Sequence, residues 1–129
     1  MFEQDYVMRQ IRQIIKIMVK ILFNVDDMNT SLTLLQNNTE ARETAEDLLN
    51  MIDAGNISEA VNDVSVLIKT GTMENLLIGL TFYSHLNEKD DDYLEANDFS
   101  RDKIENGIKH LLSEYGLDDM SGIFFYDQE

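Results

Sequence analysis

The chain has 129 residues, 43% of them hydrophobic, and a formal net charge of −15. That length fits one domain, and that apolar content is enough for a core, which excludes global disorder. The absence of cysteine rules out disulfides, thiolate zinc sites and a thiol nucleophile, and the absence of proline removes the strongest helix breaker.

The first element is a long helix over residues 4–24. Val7, Ile11, Ile14, Met18, Ile21 and Val25 alternate spacings of four and three, and Met8, Ile15 and Leu22 widen that stripe. Ile17, Val19 and Phe23 fall outside it. Such a surplus predicts burial on two sides, by other helices or by a second subunit, so a homodimer through residues 4–24 is one expectation. Arg9, Arg12, Lys16 and Lys20 lie on the remaining faces. They make residues 1–24 net positive, whereas the rest of the chain carries 23 acidic against 6 basic side chains. The most apolar stretch, 14–23, is broken by Lys16 and Lys20 and is too short to span a bilayer, which needs about 20 apolar residues. No secretory signal is read here, and a cytoplasmic location is expected.

Residues 26–38 are polar, with an apolar island at Leu32, Leu34 and Leu35, and read as a flexible loop. A second helix is predicted over 40–54, with Ala41, Ala45, Leu48, Leu49 and Ile52 on one face and Gly55 as its stop. Asn56 opens a third helix, and Glu59 three residues later predicts a capping box. Ile57, Ala60, Val61, Val64, Leu67 and Ile68 form its apolar face, and Gly71 ends it. Thr72 is placed to cap a fourth helix over 73–86, apolar over most of its circumference and therefore central. Asp90, Asp91 and Asp92 suit the start of a short helix near 91–97, through the helix dipole. The last helix has Ser100 as N-cap, Phe99 and Ile104 in the positions of a hydrophobic staple, and Gly116 as its stop. The tail, 117–129, contains the apolar run Ile123-Phe124-Phe125-Tyr126. Docking of this tail on its own core is the first reading, and a partner-binding element at Phe124 and Phe125 the second. The expected fold class is all-α: an irregular bundle of about five to six helices forming one domain over 1–129.

The segment Ala54 to Ala60 reads A-G-N-I-S-E-A and resembles the inter-helix turn of a tetratricopeptide repeat. Gly55 matches the turn glycine and Ala60 the small residue of the second helix, where a small side chain lets two helices approach closely. The resemblance covers about half of one repeat. Thr44 and Asp47 stand where aromatic and leucine residues belong, and a 34-residue offset lands on Lys89 and Leu94. It therefore implies one repeat-like antiparallel helix pair and no solenoid. The whole chain also resembles a family of short uncharacterised bacterial proteins, through F-E-Q-D-Y-V-M-R-Q-I, D-A-G-N-I-S-E-A, F-Y-S-H-L-N-E-K and D-F-S-R-D-K-I-E-N-G. That resemblance implies a bacterial, cytoplasmic protein and carries no functional residue.

Chemistry is sparse. His85 and His110 are the two histidines. His110 and Glu114 read as a surface pair at i and i+4, and His85 as a group that caps carbonyls near a helix end or interacts with the helix dipole there. Neither has the glutamate three positions before it that a ferritin-like site needs. The aspartate run lacks the spacing and glycine of a calcium loop, and the glycines never form a phosphate loop. No catalytic, cofactor-binding or metal-binding residue is assigned and no cofactor is expected. The acidic body would repel nucleic acid.

The leading expectation is a non-catalytic protein–protein interaction module, an adaptor or scaffold. Its candidate surface is Arg9, Arg12, Lys16 and Lys20 with Phe124 and Phe125, and its structural turn is Gly55 and Ala60. One alternative is a peripheral membrane protein using the basic helix. Against it, those cations are expected to pair with neighbours such as Glu40, Glu43, Glu46 or Asp47. The other alternative is a small-ligand binder or enzyme with an interhelical pocket.

Overall fold

The structure is a computed structural model that describes residues 2–23 and 38–117. Among these residues there are six helices and no strand, the all-α bundle expected: α1 (Phe2–Phe23), α2 (Thr39–Asp53), α3 (Ile57–Ile68), α4 (Met73–Asn87), α5 (Asp91–Ala96) and α6 (Arg101–Glu114). The loop read over 26–38 and the tail beyond Leu117 lie outside the described residues, except Asn38. Its side chain caps α2 by accepting from the Ala41 N–H at 3.0 Å.

The bundle is built around α4. Leu76 to Tyr83 are buried without a break, so this helix has no outer face along its middle turns. It packs against α1, α2, α3 and α6, while α1 and α3 also touch α6 and α2 touches α3. Two glycines set how close α4 and α6 come. A Cβ at Gly107 would lie 2.5 Å from the Tyr83 ring, and one at Gly79 would lie 3.0 Å from Leu111. Overpacking of this kind costs about 1–3 kcal/mol. Buried side chains from all six helices join one hydrophobic cluster.

Most helix ends follow the expected chemistry. Thr72 accepts from the Asn75 N–H, Asp90 from Tyr93 and Ser100 from Lys103. Gly55 and Gly116 adopt φ of +85° and +70°, the left-handed conformation that terminates a helix without a Cβ penalty. The capping box at α3 does not form. Asn56 has φ −90° and ψ 53°, and its side chain makes no cap bond.

The inward stripe of α1 also differs from the heptad reading. Ile11, Ile14, Ile15, Met18 and Val19 are buried, whereas Ile17 and Ile21 are 42% and 63% exposed. A seven-residue step falls about 20° short of two full turns. The series Val7, Ile14, Ile21 therefore walks off the core, and Val19 rotates in. Val19 is covered by the bundle, whereas Ile17 and Ile21 are left exposed among the described residues.

One end of the bundle is tied by a buried cation. Arg101, 2% exposed at the start of α6, donates Nη1 to the Asn87 carbonyl at 2.8 Å and Nη2 to the Lys89 carbonyl. Its Nε reaches Asp91 Oδ1 at 3.2 Å. Asn87, itself buried, donates Nδ2 to the Met8 carbonyl at 2.8 Å, which brings in α1. Arg101→Ala would strand these acceptors. The expected loss is about 3 kcal/mol of unfolding free energy, read as a lower urea midpoint at unchanged slope. Arg101→Lys should recover only part of it, because an ammonium lacks the planar fork.

Candidate interaction surfaces

The outer face of α1 is the first candidate. Helix geometry puts Tyr6 and Ile17, eleven residues apart, on nearly the same line, with Ile21 one turn beyond Ile17. All three are exposed. Arg9, Lys16 and Lys20 run along one side of that line and are exposed too. Among the described residues none of these three forms an ion pair. Arg12 is engaged: its guanidinium meets Glu88 with two bonds, Nε to Oε2 at 3.0 Å and Nη2 to Oε1 at 3.1 Å. The basic residues were expected to pair with the acids of α2. Among the described residues the pair that forms, Arg12 with Glu88, reaches the C-cap of α4 instead, because α4 and α6 are the helices α1 packs against.

The second candidate is a groove along the α2–α3 hairpin, with a volume of about 370 Å³. Thr44, Asp47, Leu48 and Met51 line it from α2, and Asp63, Val66 and Leu67 from α3. Leu48 is buried beneath it, while Val66 is 66% exposed. The hairpin closes tightly because Gly55 turns the chain and Ala60 is fully buried. Both residues therefore do what the turn requires. Asp47 and Asp63 are exposed, one on each helix, and form no ion pair among the described residues. The two helices together hold seven acidic side chains against the lone Arg42.

The groove was missed in the sequence because Val66 looks like surplus on a helix whose apolar face is already complete. Phe124 and Phe125 lie outside the described residues.

A model of a family of unknown function, DUF6483, matches residues 1–116. The chain belongs to this family. The match takes in all six helices, so both surfaces lie inside the DUF6483 region. No curated protein and no solved structure is a match to the chain.

The titratable groups of this DUF6483 chain serve mainly as fasteners. His85 lies in the last turn of α4, as expected, and its Nε2 donates to Asp53 Oδ1 at 2.8 Å instead of to a carbonyl, joining α4 to the end of α2. Lys89 Nζ contacts the same oxygen at 2.7 Å and lies 5.1 Å from the centre of the Tyr93 ring, whose hydroxyl donates to the Ile52 carbonyl. His110 meets Glu114 at 3.6 Å on the surface, as the spacing predicted. Tyr115 donates its hydroxyl to the Thr72 carbonyl at 2.7 Å and so pins the end of α6 to the start of α4. Among the described residues no group of three potential ligands could hold a metal, and no helix is long and apolar enough to cross a membrane.

The Asp53 carboxyl is held below its ordinary pKa, first by the hydrogen bond from Lys89 and then by that from His85, against the opposing effect of burial. A lowered folded-state pKa stabilises the fold above the unfolded value of about 3.9, and that stability is lost as pH falls through the folded value. Asp53→Asn should therefore lower the denaturant midpoint at pH 6 and narrow the difference between wild type and variant at pH 3. Paired denaturation curves at the two pH values check this.

Proposed function

We propose that this chain is a non-catalytic protein–protein interaction module, an adaptor or scaffold, acting in the cytoplasm of a bacterial cell. The observation that carries the reading is the α2–α3 groove: apolar floor, exposed Val66, and on each wall an exposed carboxylate with no ion pair among the described residues. A helix pair with a glycine turn and a buried small residue is read here as tetratricopeptide-like. Such pairs take up a peptide or a helix through apolar anchors at helical spacing. Self-association through residues 4–24 belongs to the same reading. The net charge of −15 speaks for a basic protein partner and against nucleic acid. The partners of the two histidines, Asp53 and Glu114, speak for structural roles and against a reaction centre.

Capture from the native host tests it. The tagged full-length chain should retain a specific protein, and Val66→Asp should weaken that capture about tenfold or more while leaving the helical circular-dichroism signal intact, as loss of a central apolar contact does. Recovery of no protein, neither a foreign one nor a second copy of this chain, would defeat the reading.

A second reading has its own observation. Tyr6, Ile17 and Ile21 beside Arg9, Lys16 and Lys20 form an apolar face flanked by cations, the pattern of a helix lying on an anionic membrane surface. With Arg12 committed to Glu88, three cations remain, each worth about 1 kcal/mol near such a surface. Liposome flotation should then require anionic lipid and fall roughly a hundredfold on Lys16→Glu plus Lys20→Glu. Absence of flotation at low salt would remove this reading.

A further inference from the structure

The two exposed surfaces are complementary to each other, in apolarity and in charge. From both we infer that the α2–α3 groove of one copy seats the outer face of α1 of a second copy, with Ile17 and Ile21 over Leu48, Met51, Val66 and Leu67, and with Lys16 and Lys20 meeting Asp47 and Asp63. The inference rests on the interaction-module reading and specifies its partner.

Three observations support it. Ile17 and Ile21 are one helical turn apart, the spacing at which a docked helix places successive anchors in a groove. Lys16 and Lys20 have the same spacing along one side of the two isoleucines, so with α1 laid across the hairpin one lysine comes over each helix, and each helix of the groove offers one carboxylate. None of these four charged groups has an ion-pair partner among the described residues. The alternative of α1 against α1 would crowd Arg9, Lys16 and Lys20 of both copies onto one seam, where the groove would give them opposite charge instead.

The contact is heterologous, since it joins two different faces of the same chain. It closes into a ring, the smallest being a reciprocal pair, or continues as an open chain, according to the rotation between copies.

Sedimentation equilibrium of the full chain is the test. The average mass should rise from the monomer's 14.9 kDa to about twice that or more with concentration. It should fall back to the monomer near 1 M salt, where charges are screened within about 3 Å. Asp47→Lys plus Asp63→Lys, and separately Lys16→Glu plus Lys20→Glu, should each weaken association at least tenfold. An equimolar mixture of the two variants should form a pair, because one keeps an intact α1 face and the other an intact groove. Asp92→Lys plus Glu95→Lys, which removes acid from α5, should leave association unchanged. Should either charge reversal disturb the helical signal, Val66→Asp replaces it.

A monomer at every concentration overturns the inference. So does association that survives reversal of Asp47 and Asp63, which would place α1 against α1, or a mixture that fails to pair. A monomeric chain that still captures a host protein defeats self-recognition alone. A self-associating chain that captures nothing defeats the foreign partner and leaves this inference intact.

Discussion

A guanidinium with almost no exposure to water must be given acceptors, and in this protein the acceptors come from one short connector. Arg101 collects the carbonyls of Asn87 and Lys89 and the carboxylate of Asp91, so the chain between α4 and α5 is wrapped around it. The same connector reaches outward in both directions. Glu88 takes Arg12 and Asn87 takes the Met8 carbonyl, which fixes α1. Lys89 takes Asp53, which fixes the end of α2. The two candidate surfaces are thus oriented from a single cation-centred knot, although neither surface contains it.

The division of labour follows from α4. The middle turns of α4 are buried on all sides and leave nothing there for a partner, and α4 comes close to α6 at Gly79 and Gly107; only at its first turn is an apolar side chain, Met73, 48% exposed. Recognition is left to the outer helices. There the apolar side chains that the core did not need, Ile17 and Ile21 on α1 and Val66 on α3, sit among charges of opposite sign. Scattered exposed apolar residues need no explanation on a monomer. Two patches of opposite charge, each with apolar centres at helical spacing, are a different case, because each supplies what the other lacks.

How the sequence was legible differs from one element to the next. Caps at Thr72 and Ser100 could be read because an oxygen two or three positions before an orphan N–H is a local event, and the aspartates at the start of α5 could be read from the helix dipole, although not that Asp90 is the cap. The turn at Gly55 could be read for the same reason. Asn56 had the right type and spacing for a cap, but its backbone follows the tight turn from Gly55 and points the side chain elsewhere. On α1 the stripe held at Ile11, Ile14, Ile15 and Met18 and failed at Ile21, because a heptad count accumulates an error that only the neighbouring helices resolve. His85 was assigned to its own helix end. Its true partner, Asp53, lies 32 positions away on another helix, beyond the reach of any local rule.

Local side-chain periodicity and capping chemistry determined by themselves that the described residues form an all-α bundle, where most of its helices begin and end, and that α4 lies at the centre. They also determined the uneven charge, with a basic first helix on an acidic body. Only the tertiary structure decided that Arg101 is buried, which cation of α1 is engaged, and that an acidic apolar groove runs along α2 and α3. The reason is physical. Helix formation depends on neighbours three and four residues apart, whereas burial of a charge or exposure of an isoleucine depends on which distant surface happens to cover it.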